Sequence, residues 1–170
     1  ADIINGTSDW VYEEELDLRD GFRWSDDGKY LIFWRFDTSK VGVFTMINNT
    51  ASLYPVITRF QYPKAGTTNS AVTIGVCTLA DGSIRYLDLP GDPRDHYPAR
   101  INVIPATSNF LLQRLNRLQN INSIYEVDSA SAGIRLIFED KDNAWVEVCD
   151  QIEWLDGNRK FTFISERDGW

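Results

Sequence analysis

Glu13-Glu14-Glu15, directly after Trp10-Val11-Tyr12, is the one run of three adjacent carboxylates in the chain. On a strand Glu13 and Glu15 would share a face, with Glu14 opposed. On a turn of helix, neighbours lie about 100° apart, so Glu14 and Glu15 aim at one point. Two converging like charges raise each other's cost of ionisation, and a cation held between them removes it. The chemistry on offer is therefore recognition of a positive charge. A solvated acidic turn is the other reading of the same residues.

The rest of the chain carries little chemistry of its own. Serine-type acyl transfer needs a nucleophile, a base and an orienting acid. The Gly-x-Ser-x-Gly elbow is missing from the sequence, and His96 is the single histidine. His96 lies in Gly91-Asp92-Pro93-Arg94-Asp95-His96-Tyr97-Pro98, which reads as a solvated surface loop. One histidine and the distant Cys77 and Cys149 do not make a zinc set, so no metal is expected. No phosphate-binding or dinucleotide fingerprint occurs, so no cofactor is expected. The two cysteines read as small, buried, unbridged residues, with a disulfide as the alternative. Asp81, Asp88, Asp92, Asp95, Asp128, Asp140 and Asp142 read as turn or solvated acids.

The elements that must position the glutamates are strands. The chain has 170 residues, 43% hydrophobic and 13% aromatic, a size that suits one domain. A net charge of -8 without a basic cluster excludes nucleic acid as a natural partner. The start, ADIINGTSDW, has neither a basic nor an apolar leader region, so no signal peptide is expected there. Aromatic and β-branched runs predict strands at Tyr30–Phe36, Val41–Ile47, Val56–Tyr62, Val72–Thr78, Ile84–Leu89, Ile101–Ile104, Ile134–Phe138, Trp145–Val148 and Phe161–Ile164. Turn signals, among them Ser25-Asp26-Asp27-Gly28 and Asp156-Gly157-Asn158, separate them; Ser129–Gly133 reads as a loop. Phe110–Gln119 departs from this pattern, because Leu111, Leu112, Leu115 and Leu118 form a helical stripe.

A plan of Trp, Asp-Gly turn and alternating strand occurs at Trp24–Phe33 and again at Trp154–Phe163. Such a repeat is the opening of a propeller blade, and the spacing leaves room for one blade between the two. The fold expected is all-β: a partial propeller of about two to two and a half four-stranded antiparallel blades. Propellers close with about four to eight blades, so such a chain reads as part of a larger protein.

Five strings carry a resemblance to a known family. They are Asp9-Trp10-Val11-Tyr12-Glu13-Glu14-Glu15, Trp24-Ser25-Asp26-Asp27-Gly28-Lys29, Tyr62-Pro63-Lys64-Ala65-Gly66 with Asn69, Leu115-Asn116-Arg117-Leu118-Gln119-Asn120, and Ser165-Glu166-Arg167-Asp168-Gly169-Trp170. In this order they resemble the dipeptidyl peptidase IV family of serine exopeptidases, within the prolyl oligopeptidase group. The resemblance implies an eight-bladed N-terminal propeller, of which residues 1–170 are an internal part. It places the catalytic α/β-hydrolase domain, with its triad, outside this chain. It turns Phe110–Asp128 into a β-hairpin reversing near Gln119-Asn120.

It also implies that Glu14 and Glu15, on a short helical insertion, bind the free N-terminal ammonium of a peptide substrate. Trp10 and Tyr12 would pack that insertion against its blade, and Glu13 would face away. The partners implied are such a peptide, the protein's own hydrolase domain and a possible second copy in a homodimer. A periplasmic, secreted or membrane-anchored location is favoured over the cytoplasm. A non-catalytic relative that uses the propeller for protein contacts, or a tripeptide-releasing relative, fits the same strings. The pattern departs at Leu18, where some relatives place a site-lining serine. It departs again at Val146–Ile152, shorter than in animal relatives. The arginine that assists the glutamates in the family comes from an earlier blade, outside the chain.

Overall fold

The computed structural model describes residues 2–169. One five-stranded sheet is made of β1 (Ile3–Asn5), β2 (Phe22–Trp24), β3 (Tyr30–Asp37), β6 (Ala71–Thr78) and β7 (Ile84–Tyr86). The inserted β4 (Val43–Asn48) and β5 (Val56–Gln61) form a separate hairpin between β3 and β6. A second sheet follows in simple meander order: β8 (His96–Val103), β9 (Phe110–Asn116), β10 (Ile121–Asp128) and β11 (Gly133–Lys141). A further hairpin, β12 (Trp154–Leu155) with β13 (Lys160–Phe161), begins a third unit. These are two blades and the opening of another. Among the described residues no helix is long and apolar enough to cross a membrane.

β1 and β2 are two halves of one edge strand. Ile3, Ile4 and Asn5 pair with Asp37, Phe36 and Arg35, and Phe22, Arg23 and Trp24 pair with Phe33, Ile32 and Leu31. Trp34 lies between the two registers and serves both ends, its carbonyl accepting from Gly6 N–H and its N–H donating to the Gly21 carbonyl. Residues 7–20 therefore leave the blade and return to it at a single position. This excursion carries the glutamates.

The Asp-Gly turns dock one blade on the next. Asp26 accepts from the Ala106 amide at 2.5 Å, and Asp27 from Ser108 Oγ at 2.5 Å. The third unit repeats the plan, with Asn158 Nδ2 donating to the Pro105 carbonyl at 2.6 Å. One core joins both blades and includes Tyr12, Trp34, Phe36, Ile74, Tyr97, Phe110 and Leu112. A smaller cluster of Ile104, Leu111 and Ile124, flanked by Trp154 and Phe161, seats the third unit.

Phe110–Gln119 is not a helix. β9 lies inside its sheet with both faces covered, so Phe110, Leu111, Leu112 and Gln113 are all at most 1% exposed. Covering both faces removes the alternation by which a strand is usually read. The hairpin expected from the resemblance is present, with Gln119 in its turn at φ 53°.

Trp145–Val148 is not a strand either. Its continuation at Cys149 is held by a side chain: Gln113 accepts from the Cys149 amide at 2.9 Å and donates to its carbonyl at 2.6 Å. A buried amide side chain thus replaces a neighbouring strand. Cys149 is buried, Cys77 half-buried, and both are free thiols.

His96 also corrects a sequence expectation. It opens β8 and is 2% exposed, where a solvated loop residue was expected. Its Nδ1 accepts from Arg114 Nε at 3.0 Å, and Nε2 faces the Val72 carbonyl at 3.4 Å. Burial, reinforced by the Arg114 charge, holds its pKa below the usual histidine value. The fold therefore favours neutral His96, and unfolding takes up a proton. That stability is complete above about pH 6.5 and is lost as pH falls towards the folded value, by at most about 1.4 kcal/mol per pH unit. Thermal unfolding of the full-length protein between pH 7 and pH 5 should show this loss, and His96→Gln should remove that component. An identical pH slope in both would contradict it.

Asp140, expected to be solvated, is 4% exposed on β11 and is bound by Ser165 Oγ at 2.6 Å and Arg167 at 2.9 Å. Asp81, Asp92, Asp128 and Asp142 do accept backbone N–H groups of their own turns.

Candidate functional site

The excursion begins with an N-cap. Asp9 Oδ1 accepts the Tyr12 amide at 3.0 Å, which starts the short helix α1 (Trp10–Glu14). Its second oxygen accepts from Ser70 Oγ at 2.6 Å, which ties the helix start to the residue before β6. Burial raises the Asp9 pKa, and the Ser70 hydrogen bond partly offsets this. Capping by a carboxylate contributes about 1 kcal/mol.

Tyr12 faces inward at 2% exposure, edge-on to Phe36 with ring centroids 4.9 Å apart. Burial drives its phenol pKa well up. Trp10 stays 41% exposed and stacks on Phe60 of the inserted hairpin at 5.4 Å, with Tyr62 edge-on at 5.0 Å. The two aromatics pack against different supports: Tyr12 enters the blade, whereas Trp10 reaches the hairpin.

The helix ends in a reversal. Glu15 follows in helical geometry at φ -96° and ψ -28°, Asp17 turns left-handed at φ 49°, and the Leu18 amide bonds back to the Tyr12 carbonyl at 2.8 Å. Leu16 and Leu18 are buried at 5% and 2%. Leu18 therefore belongs to the core, which is why a polar side chain has no place there. Glu13, Glu14 and Glu15 are all exposed. Glu13 borders the groove formed by Trp10, Met46, Phe60 and Gln61. Glu14 closes α1 and Glu15 is its C-cap in helical geometry, about 100° further round the axis. Two carboxylates are thus presented from a short, braced support. Among the described residues no group of three or more potential ligands forms a metal site.

Sequence reasoning passed over the groups that hold this support. Asp9 was legible as an N-cap, because an Asp precedes a helical run. Gly21, Trp34 and Ser70 carry no local signal, since their partners lie far along the chain.

Antiparallel blades, docked through repeated Asp-Gly turns and carrying a helical excursion on one edge strand, define part of a β-propeller domain. The model of the dipeptidyl peptidase IV (DPP IV) N-terminal region matches residues 1–170, and the chain belongs to this family. The crystal structure of Porphyromonas gingivalis dipeptidyl peptidase 4 superposes with a TM-score of 0.88 and 34% identity, covering 99% of this chain and 24% of that one. Dipeptidyl aminopeptidase B of Saccharomyces cerevisiae is 27% identical over 94% of this chain and 20% of its own length. Inactive dipeptidyl peptidase 10 of Rattus norvegicus is 29% identical over 98% of this chain and 22% of its own length. The chain thus spans about a fifth to a quarter of these relatives.

Proposed function

We propose that residues 1–170 are an internal part of the propeller of a serine-type dipeptidyl peptidase, and that Glu14 and Glu15 bind the substrate's N-terminal ammonium. The triad would lie in an α/β-hydrolase domain outside this chain, which makes this region a positioning rather than a reacting part. The observation that carries the reading is the exposed Glu14–Glu15 pair on a helix braced from two sides. A charge-assisted hydrogen bond fixes the ammonium. Two extended residues then span roughly 7 Å and set the scissile carbonyl at the nucleophile, after proline or alanine. An internal peptide has no ammonium to anchor, so endopeptidase action is excluded. Holding the reactants in register in this way is catalysis by orientation. The reading favours action outside the cytoplasm and needs no cofactor.

The full-length protein should cleave a Gly-Pro chromogenic substrate with a free amine and leave its N-acetylated form intact. Equal cleavage of both would sink the ruler. The similarity to inactive dipeptidyl peptidase 10 favours a second reading, in which a folded parent cleaves neither substrate and the propeller serves protein contacts. Release of tripeptides would instead keep the ammonium anchor and lengthen the reach.

A further inference from the structure

Arg100 sits at an irregularity of β8. The pairing of β8 with β9 shifts register between Pro98 and Arg100, a bulge that re-aims the side chains around it. Two contacts leave this bulge for the neighbouring blade. The Pro98 carbonyl accepts the Trp34 indole N–H at 2.6 Å, and Trp34 is the residue from which the excursion leaves and to which it returns. Arg100 Nη1 donates to the Leu16 carbonyl at 2.5 Å and to the Ala99 carbonyl at 3.0 Å. Its Nε donates to Asp150 at 2.5 Å. The Arg100 side chain is 17% exposed, whereas Asp150 is 65% exposed.

We infer that Arg100 is a positioning residue for the Glu14–Glu15 pair: from the neighbouring blade it holds the excursion at the residue following Glu15 and so sets where the carboxylates stand. This rests on the proposed role of the pair. The Leu16 carbonyl lies beyond the end of α1, outside its hydrogen-bond ladder. A guanidinium meets such a carbonyl while also gripping a second strand, because its donors form a rigid fork. Without it the return leg is held by the Leu18 backbone bond and by packing of Leu16 and Leu18. The helix stays folded on Tyr12, but the carboxylates lose their fixed distance from the blade. Asp150 extends the link to the segment between β11 and β12.

The test uses the full-length protein and two readouts. Arg100→Ala should raise KM for the free-amine Gly-Pro substrate about tenfold and change kcat by less than threefold, since anchoring is weakened and the nucleophile is untouched. Amide exchange across residues 11–18 should quicken about tenfold, and Arg100→Lys should restore part of both. In a Glu14→Gln/Glu15→Gln background, Arg100→Ala should add less than a twofold change, because coupled residues are not additive. Unchanged exchange overturns the proposal whatever the kinetics. Faster exchange with unchanged KM overturns it as well, leaving Arg100 a structural anchor only. A fall in kcat at constant KM, the mark of lost active protein, overturns it too. If Glu14→Gln and Glu15→Gln themselves leave the free-amine rate unaltered, the reading of the glutamates fails, and Arg100 has no pair to position.

Discussion

Glu14→Gln or Glu15→Gln in the full-length protein should lower kcat/KM for a free-amine dipeptide substrate by about 10²–10³-fold, with the thermal midpoint unchanged. Removing one partner of a charge pair that the bound substrate desolvates costs roughly 2–5 kcal/mol, and each tenfold is about 1.4 kcal/mol. Glutamine keeps the shape and one acceptor oxygen, so the loss reports charge rather than packing. Both side chains are exposed and make no contact that supports the helix, so folding should be untouched. Glu13→Gln is the internal control: it borders the groove under Trp10 and the hairpin, and its rate should stay within about twofold, as for an ordinary surface substitution. Steady-state kinetics with circular dichroism checks all three variants. An unaltered rate in Glu14→Gln and Glu15→Gln would remove the pair from substrate binding.

Gly21→Ala should be among the most damaging changes of one methyl group in the chain. A Cβ there would lie 2.0 Å from the Thr7 carbonyl oxygen and 2.6 Å from its amide nitrogen. These are backbone atoms of the outgoing leg, so no side chain can swing aside. Relief requires the two legs to separate, which would break the bonds of Gly6 and Gly21 to Trp34. Overpacking costs about 1–3 kcal/mol where neighbours adjust, and more where they are backbone, so a loss near 3 kcal/mol is expected. Gly28→Ala gives the comparison. Gly28 has φ 69° with open space around it, so only left-handed strain of about 1–2 kcal/mol applies. Urea unfolding ranks the two, and Gly21→Ala should also raise KM for the free-amine substrate. Equal unfolding midpoints would show that the legs are not in contact.

The blade plan was legible in the sequence because its signals are local. Trp24-Ser25-Asp26-Asp27-Gly28 and Trp154-Leu155-Asp156-Gly157-Asn158 each carry their own turn chemistry, and both mark real blade openings. The middle opening was missed, since its turn is Pro105-Ala106-Thr107-Ser108, without an Asp-Gly pair. Phe110–Asn116 misled because period reports which faces are covered, and here both are. Family strings, not period, supplied the hairpin. Trp145–Val148 misled for the opposite reason: its composition suits a strand, but Gln113 takes the backbone groups of Cys149 that a neighbour would pair. His96 was misplaced because its loop of Asp, Pro and Arg residues ends at Asp95, three residues before Pro98, where it reads as ending. Of the proposed site, the run of glutamates stands out in the sequence by type and spacing. Their supports were not, because Ser70, Trp34 and Arg100 are brought to the excursion only by the docking of distant segments.

The split edge strand separates two tasks that most loops must combine. Register in the blade is kept by Ile3–Gly6 and Gly21–Trp24, and residues 7–20 take no part in its pairing. The blade is a socket with a fixed mouth one residue wide, and the excursion is a cartridge seated in it. The cartridge is seated by its buried Tyr12, Leu16 and Leu18, which leaves the exposed tip, residues 13–15, free to vary while the frame stays put. A change of charge or side-chain length at the tip therefore leaves the propeller as it stands.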